Sequence, residues 1–123
     1  MVARARGIVV RRSRLSGAPM VVVEGELDIA TAPVLEGALD AAIRDTGGVL
    51  FVELAGVTFM DSSALNVLLR ARALLGREDR TIALVRPPDR VRNLLELAGV
   101  ADLFASYETH ETAARALAPA PGG

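Results

Sequence analysis

Apolar residues along the chain follow two rhythms. Compact runs such as Met20-Val21-Val22-Val23 and Val49-Leu50-Phe51-Val52 have the length of strands. Between them Val34, Leu35, Ala38, Leu39, Ala42 and Ile43 recur at the spacing of a helix face. Gly7 to Leu15 combines Ile8-Val9-Val10 with an alternating stretch, as an edge strand does. Ser16-Gly17-Ala18-Pro19 is a turn signal and Met20 to Leu27 a second strand, so the pair predicts a hairpin. Residues 1–6 read as a flexible basic lead-in.

Thr31 stands where a first helix needs its N-cap, with Pro33 in the first turn, where a missing N–H costs little. Thr46-Gly47-Gly48 closes that helix. Val49 to Leu54 is almost uniformly apolar, the mark of a central parallel strand covered on both faces. Beyond Asp61-Ser62-Ser63 a second helix turns Leu65, Leu68, Leu69 and Leu75 inward and leaves Arg70, Arg72 and Arg77 on a solvated face, with Gly76 as its stop. Arg80 to Arg86 is the next strand, broken by Pro87-Pro88. Asp89 then caps a third helix that carries Val91, Leu94, Leu95 and Leu97 up to Gly99. Leu103-Phe104 opens a short last strand, Glu111 to Ala118 forms an Ala-rich helix, and 119–123 is read as a disordered tail. The order β-β-α-β-α-β-α-β-α predicts one α/β domain over residues 7–118. Its sheet is mixed and mostly parallel, opened by an N-terminal hairpin and covered by about four helices.

Composition narrows the chemistry. The 123 residues include no cysteine, which excludes disulfides, thiolate metal sites and thiol catalysis. All 14 basic residues are arginine, so a Schiff-base or P-loop lysine is absent, and His110 is the only histidine. A net charge of −1 gives no global attraction for nucleic acid, and one tyrosine with no tryptophan leaves little surface for stacking bases. No apolar run approaches the roughly 20 residues of a membrane span, and no apolar segment of a secretory signal follows the first arginines. The expectation is a cytoplasmic protein without nucleic-acid or membrane partners.

Two stretches carry candidate chemistry. Asp61, Ser62 and Ser63 join a strand to a helix, which makes them cap residues and also displays a hydroxyl where open α/β sheets place working residues. Gly25-Glu26-Leu27-Asp28 puts a glycine late in a strand, a sign of a bulge or close backbone approach. Asp28 follows at the strand's carboxyl end, as a turn residue or a contact residue beside Ser62. Catalytic readings fail. No glycine-rich phosphate loop follows a strand, Met60 and Ala64 stand where a nucleophile elbow needs glycines, and the carboxylates are too scattered for a metal. Neither an enzyme nor a cofactor or metal is expected.

Three segments, in order and at suitable spacing, resemble one family. They are Gly25-Glu26-Leu27-Asp28 running into Thr31-Ala32, then Phe59-Met60-Asp61-Ser62-Ser63, then Leu94-Leu95-Glu96-Leu97-Ala98-Gly99-Val100. From about Leu15 to Ala118 the chain is similar to STAS domains of the anti-sigma-factor antagonist type. It departs from them at Ala64 and Asn66, where glycines are usual. The resemblance implies that Ser62 (Ser63 as alternative) is phosphorylated by an anti-sigma factor with Ser/Thr kinase activity. It further implies that the unphosphorylated domain binds that factor and releases a sigma factor, and that a metal-dependent Ser/Thr phosphatase reverses the modification. The implied partner surface comprises Asp28, Thr31, Asp61, Ser62, Ser63, Ala64, Leu65 and Asn66. The alternatives are a non-switching STAS module in a stressosome-like or lipid-transport assembly, and a nucleotide-sensing STAS domain.

Overall fold

The structure, a computed structural model, describes residues 2–45 and 47–117. The disordered tail read at 119–123, Ala118 as a helix end and the part of Thr46 in the helix stop lie outside the described residues. One six-stranded sheet organises the chain in the order β1-β2-β3-β4-β5-β6. The strands are Val2–Ala5, Ile8–Leu15, Ala18–Leu27, Val49–Met60, Thr81–Val85 and Ala105–Tyr107. The first two pairings are antiparallel and the remaining three parallel. Helices α1 (Ala32–Ile43), α2 (Ser62–Gly76), α3 (Asp89–Leu97) and α4 (His110–Arg115) complete the described fold.

The sheet divides two cores. On one face Val21, Val23, Leu50, Val52, Leu54 and Leu84 meet Leu35 and Leu39 of α1, Leu68 and Leu75 of α2, and Val91 and Leu95 of α3. On the other, Met20, Val22, Phe51, Ala83 and Val85 pack with Ala113 of α4. Alternation along β4 sends Leu50, Val52 and Leu54 to the first face and Phe51 and Glu53 to the second. Glu53, inside the apolar run, has a side chain only 10% exposed, and it sits 3.4 Å from Arg86 Nη1 and 3.3 Å from His110 Nε2. Those partners offset the desolvation of its carboxylate and tie α4 to the sheet.

Several expectations need correction. Val2–Ala5, read as part of a flexible lead-in, forms β1: the chain turns at Arg6-Gly7 and pairs Ala5 with Ile8, so Gly7 serves a turn before it serves a strand. β4 continues past Leu54 to Met60, because β3 follows it through register shifts at Val22/Glu24 and Gly25/Glu26. Asp89 is the first residue of α3, while Pro88 occupies the N-cap without a side-chain bond. Leu103 belongs to a 3-10 turn, so the last strand starts at Ala105. The last helix, expected from Glu111, starts at His110 and ends at Arg115, and Thr109 opens it through a capping box with Thr112. Gly76 remains helical, and Asp79, at φ 56°, turns the chain away after α2.

Gly25 confirms its reading. It adopts φ +108°, and a Cβ there would stand 2.1 Å from Gly7 O, an approach the Glu26 N–H to Gly7 O bond of 2.7 Å holds in place. Gly25→Ala is therefore expected to cost about 2 kcal/mol or more. By contrast, Gly37→Ala, at a helical position with open space around it, is expected to stabilise by about 0.5–1 kcal/mol. Urea denaturation of both variants checks the pair, with a lowered midpoint for the first and a raised one for the second.

Candidate functional site

The carboxyl ends of β3 and β4 are neighbouring parallel ends, and the loops leaving them build one surface. Leu27 pairs with Met60, so Asp28 and Asp61 leave the sheet side by side, and the Asp61 N–H donates to Leu27 O at 3.0 Å. That bond locks the β4–α2 junction to the β3–α1 junction. Adjacent strands lie about 4.8 Å apart, which sets the scale of the site.

Each junction is ordered by its own carboxylate. Asp61 is the N-cap of α2: its backbone is extended and Oδ1 accepts the Ser63 N–H at 2.8 Å. Asp28 Oδ1 accepts the Ala30 and Thr31 N–H groups at 2.9 and 3.0 Å, while Asp28 O accepts the Ala32 N–H at 2.8 Å. Thr31 holds the N-cap position of α1, as expected, but its side chain makes no capping bond. It is buried, donating its hydroxyl to Glu26 O at 2.7 Å and accepting the Asp28 N–H at 2.9 Å. The reason is local: of the two amides a Thr31 side chain could cap, Pro33 carries no N–H and the Val34 N–H donates to Thr31 O at 2.9 Å, so the Thr31 hydroxyl is left to fasten the loop.

Ser62 is the first residue of α2 and exposed, and its hydroxyl makes no hydrogen bond among the described residues. Ser63 is half-buried, its amide committed to Asp61. Asn66, one turn further, is exposed. Ala64 and Leu65 lie in the core, with 0% and 4% of their surface exposed, so they support the helix from beneath. The expected residues thus come together around Ser62, with Thr31, Ala64 and Leu65 below the surface.

Sequence reasoning missed three neighbours. Ile29 is 79% exposed and Phe59 46%, so two large apolar side chains flank Asp28 and Asp61 in full view of solvent. Arg90, in the first turn of α3, donates to Thr58 O and joins the β5–α3 side to β4. An apolar residue in a polar loop, as in Asp28-Ile29-Ala30, was the signal for the first. Nothing local distinguishes Arg90 from other surface arginines. The arginines of α2 do bond: Arg70 meets Asp40 at 2.8 Å and Arg72 Nε meets Leu103 O at 2.8 Å. The hydrogen bond to Asp40, followed by its charge, raises the Arg70 pKa further above its ordinary value.

The described residues include no group of three or more His, Asp or Glu side chains placed to hold a metal, and no helix long and apolar enough to cross a membrane. What the surface offers is an exposed hydroxyl at a helix N-terminus, two carboxylates and two apolar side chains.

Residues 10–105 match the family described as Mlab, STAS domain. An anti-sigma-B factor antagonist of Staphylococcus aureus (strain NCTC 8325 / PS 47) is 34% identical over 84 residues, covering 68% of this chain and 78% of the relative. The crystal structure of an anti-sigma factor antagonist from Mycobacterium paratuberculosis superposes with a TM-score of 0.78 at 30% identity, over 92% of this chain and 98% of that one. The unphosphorylated form of the anti-sigma factor antagonist SpoIIAA shares the fold, with a TM-score of 0.71 at 20% identity over 87% of this chain and 95% of its own. SpoIIAA also has a structure in a phosphorylated form, with a TM-score of 0.65 at 19% identity over 87% and 98%. The chain belongs to the STAS family, and among its relatives there it stands with the anti-sigma-factor antagonists.

Proposed function

We propose that the unphosphorylated protein binds an anti-sigma factor of the Ser/Thr kinase type, so that a sigma factor is released, and that phosphorylation of Ser62 ends the binding. The observation that carries this reading is the Ser62 hydroxyl, exposed and unbonded at the first position of α2 and flanked by Asp61. A kinase needs an acceptor oxygen it can reach, and Ser62 offers one that Ser63, half-buried, does not match. The kinase supplies the catalysis and this chain is its substrate. A metal-dependent Ser/Thr phosphatase then restores the hydroxyl. On this reading the protein works in the cytoplasm, where sigma factors act.

The physics is that of a local toggle. A phosphate adds about −1.5 to −2 charges at neutral pH. Free amides and the dipole at the start of α2 tolerate that charge, so the fold survives. Against a partner it does not fit: it crowds Asp61 and Asp28 and must lose water beside the apolar Ile29 and Phe59. Couplings of about 1–3 kcal/mol are typical of such switches.

Two outcomes follow. Ser62→Ala is expected to bind the anti-sigma factor like the unmodified protein and to accept no phosphate, whereas Ser62→Asp loses about tenfold or more, roughly 1.4 kcal/mol, in calorimetry. Equal binding by both variants, with kinase and without, would instead identify a non-switching STAS interaction module. Separately, Thr31→Val removes a buried donor and acceptor, leaving Glu26 O and the Asp28 N–H unpaired. It is expected to cost about 1–3 kcal/mol in denaturation and to weaken partner binding by loosening the Asp28 loop. Full stability with unchanged binding would remove Thr31 from the site.

A further inference from the structure

β1 is the outermost strand of the sheet, and among the described residues no strand pairs with its outer side. In an antiparallel ladder every second residue turns its N–H and C=O away from the partner, so β1 presents unpaired main-chain donors and acceptors along that side. Val2, Arg4 and Ala5 are exposed, so neither helix nor loop covers the edge. Ala3 pairs with Val10, which faces the core under α1, and beside this pair lies a groove of about 300 Å³. Ala3 and Val10 form its sheet wall, and Val34, Gly37, Ala38 and Ala41 form its helix wall. The groove lies where a strand added to β1 would send every second side chain.

The charge around the groove has one sign. Arg4, Arg6, Arg11, Arg12 and Arg14 all fall in β1, β2 and their turn, and the first carboxylate side chain along the sequence is Glu24. Arg11 meets Glu24 at 3.5 Å, and Arg12 and Arg14 meet Asp45 at 3.1 and 2.8 Å. Arg4 and Arg6 are exposed and have no hydrogen bond or ion pair from their side chains among the described residues. No carboxylate lines the groove. Two copies pairing through β1 would gather two such arginines from each on one short ribbon, where like charges destabilise the pairing. An acidic strand meets the same charges favourably.

We propose that the outer edge of β1 takes an extended acidic segment of a partner protein as an additional strand. Main-chain bonds to β1 hold the segment, and side chains at alternate positions give it specificity. Its carboxylates share the face of Arg4, and its apolar side chains share the face of Ala3 and enter the groove against Gly37 and Ala38. β1 lies three strand spacings, about 14 Å, from β4. The groove shares no residue with the surface around Ser62, so neither reading stands or falls with the other.

The experiment is a titration of the full chain with the blocked peptide acetyl-Glu-Val-Glu-Val-Glu-amide, followed by backbone amide NMR. Two control peptides are used at matched ionic strength. Acetyl-Lys-Val-Lys-Val-Lys-amide reverses the charge, and acetyl-Glu-Pro-Glu-Pro-Glu-amide keeps the carboxylates but lacks the N–H donors at alternate positions. Saturable shifts are expected at Val2–Ala5 and at Gly37 and Ala38, with both controls binding about tenfold more weakly or worse. Affinity is expected to fall by a similar factor in Arg4→Glu, and several-fold in Gly37→Leu, whose side chain fills the groove from a helical position with open space around it. Arg4 and Gly37 are both exposed, so the variants keep the fold, which the rest of the amide spectrum reports. Concentration-dependent shifts of β1 without peptide would assign the edge to a second copy and overturn the proposal. So would an absence of saturable shifts, equal binding of the lysine peptide, or saturation unchanged in both variants.

Discussion

The site depends on one pairing, the parallel contact of β3 with β4. Its register puts Leu27 against Met60, and the Asp61 N–H to Leu27 O bond carries that register past the end of the sheet. From there everything at the surface is a consequence. Asp61 leaves the sheet at a fixed point, its carboxylate opens α2, and Ser62 faces outward because Ala64, Leu65 and Leu68 of the same helix face inward. A shift of one residue would exchange the two faces of β4 and move the point from which α2 starts. Gly25, with its backbone against Gly7, stabilises the irregular stretch that lets two strands of unequal path reach this common end.

Rigidity suits a charge switch better than motion does. At both junctions main-chain amides donate to a carboxylate, so the modification proposed at Ser62 would meet a surface that is already ordered. Under the proposed switch, the free energy released or lost on phosphorylation would then appear at the interface instead of in refolding. The exposed Ile29 and Phe59 strengthen that argument. Apolar side chains beside ionised groups contribute to association only when a partner dehydrates them together, and a phosphate in their midst opposes that dehydration.

Much of this was legible from residues alone, for physical reasons. Apolar runs at Met20–Val23 and Val49–Val52 had to be buried, and their order with Val34–Ile43 and Leu65–Leu75 left few arrangements besides a mixed sheet under helices. Asp61-Ser62-Ser63 declared itself because acid and hydroxyl side chains are what a helix start requires. The failures occurred where tertiary pairing overruled local pattern. Val2–Ala5 looked loose because a four-residue edge strand has no period to show, and only the partner strand Ile8–Arg11 makes it regular. Thr31 does hold the N-cap position of α1, but local pattern could not say that its hydroxyl would turn back to Glu26 O and the Asp28 N–H instead of capping the helix. Arg80 was read as the first residue of a strand, when its guanidinium bonds the end of α1 and its backbone N–H the end of α2.

The two positions where the resemblance led us to expect glycines, Ala64 and Asn66, illustrate how burial decides what a side chain does. Ala64 is fully buried, so its methyl group fills space under α2 and favours the helix without altering what a partner meets. Asn66 is exposed, four residues after Ser62 and therefore on the same helix face. Its amide adds donors and an acceptor beside the hydroxyl, at a point where a glycine would leave the backbone open to close approach. A partner built for a glycine there would have to give way to that side chain, and one built for asparagine would lose hydrogen bonds to the glycine form. On the proposed reading, discrimination between related partners therefore falls to Asn66, while Ala64 acts only through the stability of the helix that presents it.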